Sequence, residues 1–147
     1  MIPAHNEHGL LPPGLHWTVN SDELAERFAA STRRRRLFDG FLEGVYLLRF
    51  AGCKFVYLDG SFVTSKEYPR DFDACWDPQG VELKLLDPVF LDFSNFRLAQ
   101  KQRFGGEFFP SSATAQGPAR TFYEFFQTDK DTGEAKGMVG LQLSTLQ

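Results

Sequence analysis

The sequence predicts an α/β (α+β) fold: a mixed β-sheet of about four to five strands with helices mainly on one face. Three observations carry this. Residues 32–51 place Leu37, Phe38, Phe41, Leu42, Val45 and Leu48 at helical spacing, a wide apolar stripe on one long helix. That helix feeds directly into a β-rich run, Cys53–Leu58, which ends at a Gly60-Ser61 turn. Short apolar segments at 72–76, 106–109 and 138–143 read as further strands.

Taken in order, residues 1–20 read as an N-terminal arm on a single domain spanning 1–147. The first sixteen residues hold Pro12-Pro13 and all three histidines, lack apolar periodicity and are expected to run over the surface. Trp17 is placed to pack the arm onto the body. His5 and His8 have no Cys or carboxylate cluster beside them, so a plain arm is favoured over a metal site. Ser21 caps a first helix, with Asp22 and Glu23 where the dipole favours acids and Leu24 and Phe28 as its apolar stripe. Thr32 caps the second helix and Gly52 ends it.

Arg33, Arg34, Arg35 and Arg36 start that second helix and point all round it. They read as a solvated end paired with Asp22, Glu23 or Glu26, with nucleic-acid contact as the alternative. The loop 62–70 carries Lys66 and Arg70. Asp77-Pro78-Gln79-Gly80 is a turn. Val81–Leu86 reads as a short hairpin extension, and Val89–Phe93 as a brief strand or helical turn. Ser94-Asn95 starts a helix to about Phe104, with Phe96, Ala99 and Phe104 facing inward. Arg97 and Lys101 share one face of it, an unfavourable pair unless an anion lies close by. Residues 111–120 form a loop, TFYEFFQT a short helix docked by its aromatic face, and 129–133 a turn.

The composition bounds the function. With 42% hydrophobic and 24% charged residues the chain reads as a globular domain, and its sixteen phenylalanines as core. A net charge of −3 gives no whole-chain field for a polyanion, so nucleic acid is left open without being indicated. No apolar run suggests a membrane span and no leader is evident, so the expected location is the cytoplasm. Cys53 and Cys75 read as small buried hydrophobes rather than a disulfide or zinc site.

The chemistry concentrates in residues 55–77. In a strand, alternate residues share a face, so Asp71, Asp73, Cys75 and Asp77 face one way and Phe72, Ala74 and Trp76 the other. Two carboxylates side by side repel, and a hard cation between them removes the penalty. Upstream, Gly60 and Ser61 suit a phosphate, with a close backbone and a hydroxyl donor. These are the parts of a metal-assisted phosphoryl or nucleotidyl transfer site.

Gly60-Ser61 followed by Asp71-Phe72-Asp73 resembles the signature of the nucleotidyltransferase superfamily, the fold shared by polymerase beta and the small bacterial minimal nucleotidyltransferases. LDGSF, VTSKEYP and RDFDACWD together resemble more closely an uncharacterised group of small bacterial proteins of this fold. The same group is similar at PPGLHW, LLDPVFLDFSN and FFQTD…KG, so the likeness spans nearly the whole chain. It implies magnesium or manganese as cofactor and a nucleoside triphosphate as substrate. By the resemblance, Asp71, Asp73 and Glu107 are the catalytic, metal-holding acids. Gly60, Ser61, Lys66, Arg97 and Lys101 are the phosphate-binding set. Glu107 departs from the commoner aspartate by one methylene.

Three readings follow. In the first, the chain moves a nucleoside monophosphate onto a protein, RNA or small-molecule acceptor. In the second, it is a catalytically weak or silent binding module of the same fold, such as a toxin–antitoxin or phage-defence component working through a protein partner. In the third, it is a plain α/β domain whose acids only solvate a sheet end.

Overall fold

The computed structural model describes residues 1–113, 120–129 and 132–146. Parts of the expected loop 111–120 and turn 129–133 therefore lie outside the described residues. The elements run β1 (Gly14–Trp17), α1 (Ser21–Phe28), α2 (Thr32–Phe50), β2 (Phe55–Asp59), β3 (Phe72–Trp76), α3 (Ser94–Phe104), β4 (Gly106–Pro110), α4 (Phe122–Phe125) and β5 (Gly137–Gln142). The five strands form one mixed sheet in the order β1-β5-β2-β3-β4. β1 runs parallel to β5 and β3 parallel to β4, while β2 is antiparallel to both β3 and β5.

The sheet's two faces are set by the twofold alternation of its strands. Phe72, Ala74, Trp76 and Phe108 point to one face, where α1, α2 and α3 bury a large aromatic core. There Phe41 stacks parallel to Phe108 at 6.1 Å and meets Phe72 edge-on at 5.5 Å. Gly44 brings α2 in close, since a Cβ there would lie 2.5 Å from the Phe108 ring. Cys75 and Phe109 point to the other face, under the short α4, with Phe126, Phe122 and Phe125. Phe109 and Phe122 stack at 4.2 Å. The helices thus lie mainly on one face, as the sequence predicts.

Several elements differ from expectation. The expected arm is not confined to the surface: Ile2 and Leu11 are buried, and residues 14–17 add an edge strand on which Trp17 packs edge-on against Phe55 and Tyr57. That strand has too few apolar residues to be legible alone. The helix caps each shift by one residue, because the Asn20 side chain accepts from Glu23 N–H and the Ser31 hydroxyl from Arg34 N–H. Residues 83–85 turn rather than pair, and Pro88–Leu91 forms a short 3-10 helix, resolving the alternatives left for that stretch.

At the start of α3, Asn95, Phe96 and Arg97 take left-handed backbone angles (φ 51°, 55° and 62°). This turns Phe96 out to 81% exposure instead of inward. Phe104 is buried as expected, and Gln100 is buried with it, donating to Val89 O and accepting from Phe108 N–H. Cys53 and Cys75 are buried free thiols, as expected. Among the described residues, no helix is long and apolar enough to cross a membrane.

Candidate functional site

Register assembles the site. β2 and β3 pair so that Asp59 lies opposite Asp73, and β3 and β4 so that Asp73 lies opposite Glu107. Three carboxylates therefore cross three adjacent strands in one row on the face away from α2, with Asp71 just before β3. Like charges directly opposite one another destabilise a sheet. The row survives by burial-driven protonation and by borrowed cations.

Burial, with Asp71, Asp59 and Glu107 adding to it, pushes the Asp73 carboxyl up to about 8. Burial likewise pushes Asp59 up to about 7, against the pull of Lys136. The Lys136 ammonium stands 3.6 Å from Asp59, whose two oxygens have no hydrogen-bond partner among the described residues. At Glu107, Arg97 approaches one oxygen at 3.2 Å and Lys101 the other at 3.0 Å. The anion that reconciles Arg97 with Lys101 on one helix face is thus Glu107 itself.

The phosphate-type turn is built as a rigid piece. Gly60 has φ of 80°, and a Cβ there would lie 2.5 Å from an Asp73 carboxylate oxygen, so only glycine brings this backbone against the acid row. Behind the turn, the buried Arg34 guanidinium donates to the carbonyls of Phe28 at 3.1 Å, Phe62 at 2.6 Å and Thr64 at 2.9 Å, and to that of Lys66. From the opposite side the N-terminal segment braces it: the His5 ring bonds Val63 O at 2.9 Å, and Ser65 N–H donates to Gly9 O.

The four arginines are neither a solvated end paired with α1 acids nor one patch. Arg34 is internal, Arg33 donates to the carbonyls of Pro69 and Arg70, Arg35 pairs with Asp39 at 3.4 Å, and Arg36 is exposed. Each points a different way because consecutive helical residues do.

A cleft of about 1,080 Å³ opens over the acid row. Of the residues singled out from the sequence, Gly60, Ser61, Lys66, Asp71, Asp73, Arg97 and Glu107 line it. Lys101 does not line it and reaches it only through Glu107. Opposite the turn, Phe109, Phe122, Phe125 and Phe126 form an aromatic wall, with the Arg97 guanidinium 5.1 Å from the Phe109 ring. The volume sits at the upper end of small-molecule sites, and the lining combines apolar walls with a few convergent polar groups.

Asp59, Lys136, Arg34 and the aromatic wall were not found by sequence reasoning. Asp59 carried a usable signal, since it precedes Gly60-Ser61 and alternates with Tyr57. Lys136 lies within the FFQTD…KG likeness, but nothing there joins it to Asp59, from which it is more than seventy residues away in the chain.

The fit to a divalent cation is uneven. Asp73, desolvated among other acids and touching a glycine, has the charge excess that a cation would relieve. Magnesium commonly takes only one or two carboxylates, with phosphate oxygens completing its shell. Asp71 and Asp73 fit that demand. Asp59 and Glu107 already face cations, and among the described residues no three His, Cys, Asp or Glu side chains are grouped to hold a metal ion.

The fold and site define a mixed α/β domain with an acid-floored cleft at one end of its sheet. Residues 3–142 match the family described as a family of unknown function, DUF6932, and the chain belongs to that family. No curated protein and no solved structure matches it.

Proposed function

We propose that the chain is a metal-dependent nucleotidyltransferase, moving a nucleoside monophosphate from a nucleoside triphosphate to an acceptor hydroxyl. The observation that supports this best is the meeting of the Gly60-Ser61 turn, Asp71 and Asp73 in one cleft with an aromatic wall. The turn receives the terminal phosphates on its backbone and the Ser61 hydroxyl, with Lys66 above it. Asp71 and Asp73 hold magnesium or manganese, which when bound neutralises phosphate charge. Phe122 and Phe125 offer a face for the base to stack on.

Arg97, which lines the cleft, turns toward the incoming phosphates and frees one oxygen of Glu107 to join Asp71 and Asp73, while Lys101 stays on the other oxygen. This exchange gives the three acids and two cations of the site their roles without leaving any charge buried alone. No membrane is involved in this reading, which places the protein in the cytoplasm.

A second reading has its own support. Lys136 on Asp59, with Arg97 and Lys101 on Glu107, already balances much of the row. A catalytically weak or silent binding module would look the same, acting through a protein partner as in toxin–antitoxin or phage-defence pairs.

A thermal-shift screen separates them: ATP, CTP, GTP and UTP, with and without magnesium or manganese, on the native chain and Asp73→Asn. A ligand at about a hundred times its dissociation constant stabilises by about 2.7 kcal/mol. A metal-dependent shift that vanishes in Asp73→Asn is the expected result. No shift with any nucleotide would remove the transferase reading and leave the binding module.

A further inference from the structure

A second groove, of about 580 Å³, adjoins the large cleft and shares Arg70 and Asp71 with it. Arg33 and Arg36, three apart on α2, line it together with Lys101 and Arg103 of α3. Of its three acids, Asp71 belongs to the acid row, Asp39 is matched by Arg35 at 3.4 Å and Glu43 by Arg103 at 3.1 Å. Of its cations, Lys101 is engaged by Glu107 at 3.0 Å and Arg103 by Asp87 at 2.8 Å, which leaves Arg33, Arg36 and Arg70 to set its charge. Arg33 is held by two neutral carbonyls, which leave its charge uncompensated and fix Arg70 at the junction. Among the described residues no acid comes within ion-pair distance of Arg33, Arg36 or Arg70. The groove is locally cationic on a chain whose net charge is −3.

We propose that this groove seats the acceptor, and that the acceptor carries a phosphate group near the hydroxyl it offers. This rests on the transferase reading above. With the donor's phosphates on the Gly60–Lys66 turn and its base against the aromatic wall, the groove meets the acid row at Asp71. The acceptor oxygen bonds to the α-phosphorus, and the bond from that phosphorus to the bridging oxygen of the β-phosphate breaks. Pyrophosphate leaves with the electron pair, and the hydroxyl proton passes to a carboxylate of the row. Exposed guanidinium forks match phosphate oxygens in pairs, whereas an acceptor offering only a neutral hydroxyl would have no use for them.

The test is fluorescence anisotropy at low salt, using a labelled single-stranded RNA dodecamer competed by glucose 6-phosphate. The proteins are the native chain, Arg36→Glu and Asp39→Asn, each checked for fold by circular dichroism. Both positions are charged groove residues outside the core, so the variants fold. The proposal expects RNA binding about tenfold weaker in Arg36→Glu and several-fold tighter in Asp39→Asn. The slope of log affinity against log salt should flatten by about 0.7 for one lost contact to a single strand. Competition by glucose 6-phosphate at matched concentration identifies a small phosphate ester as the source, and its failure to compete identifies a polynucleotide end.

Equal binding by all three proteins, or none by the native chain, overturns the proposal. So does transfer of label from nucleotide to an unphosphorylated protein. The native chain's nucleotide shift, measured alongside, separates the two ideas. If it is absent, the transferase reading fails. If it is present while the Arg36→Glu result is negative, only the acceptor assignment fails.

Discussion

The two faces of the central strands are made from the same few residues and behave as opposites. In Phe72-Asp73-Ala74-Cys75-Trp76, the phenylalanine, alanine and tryptophan enter a dry aromatic core under three helices. Asp73, one step away, sits in a row of acids that burial and mutual repulsion keep from ionising freely. Phe108 and Glu107 repeat the contrast on β4. One face lowers the free energy of the fold along its whole length. On the other, Cys75 and Phe109 add a smaller apolar cluster, while the acid row raises the free energy and holds the chemistry. A strand's period of two lets both sit on one scaffold, and a site under electrostatic tension persists where the opposite face is over-determined by packing.

The largest effect that would sharpen this contrast is Phe108→Ala. Removing a ring packed against Phe41, Phe72, Phe90 and Phe104 should cost about 3–5 kcal/mol in urea unfolding. A cost under about 1 kcal/mol would break the claim that this face carries the stability.

Next is Arg34→Ala, which strips donors from four carbonyls at or near the turn. It should cost about 3 kcal/mol or more and raise hydrogen exchange at residues 62–66. An unchanged exchange pattern would mean that Arg34 does not hold the turn.

Asp73→Asn should act oppositely on the acid face. The metal-free variant should gain about 1 kcal/mol at pH 9 while losing metal-dependent nucleotide binding, the usual exchange of stability for function.

The pH profile checks the same tension. Asp59 and Asp73 hold protons more tightly folded (about 7 and about 8) than an unfolded chain does. Their contribution is complete below pH 4 and is lost as pH rises through those values. The metal-free melting temperature should therefore fall between about pH 4 and pH 8 and level off above, less steeply in Asp73→Asn. A rising profile would contradict the protonated row.

Glu107→Gln should have the smallest effect, about 0.5 kcal/mol, because the Glu107 carboxylate is buried but its partners Arg97 and Lys101 are partly exposed and can turn to water, and the amide keeps an oxygen to accept from them. Its neighbour Phe108 gives the direct comparison in the same assay.

What the sequence determined by itself is what local physics determines. The stripe from Leu37 to Leu48 made α2, the alternation around Phe72-Asp73 divided the faces of β3, and a Gly-Ser turn was legible where φ is positive. Those signals lie within a few residues of the feature they specify. Tertiary structure alone decided the edge strand at 14–17, the left-handed turn that exposes Phe96, and the partners of Arg33 to Arg36. It also decided that Asp59 joins Asp73 and Glu107, that Lys136 faces Asp59, and that Arg97 and Lys101 both meet Glu107. Each of these depends on strand register or on contacts between distant parts of the chain, and such pairings are selected by the whole core. A one-residue slip of β2 against β3 would turn Asp59 to the apolar face and dissolve the row.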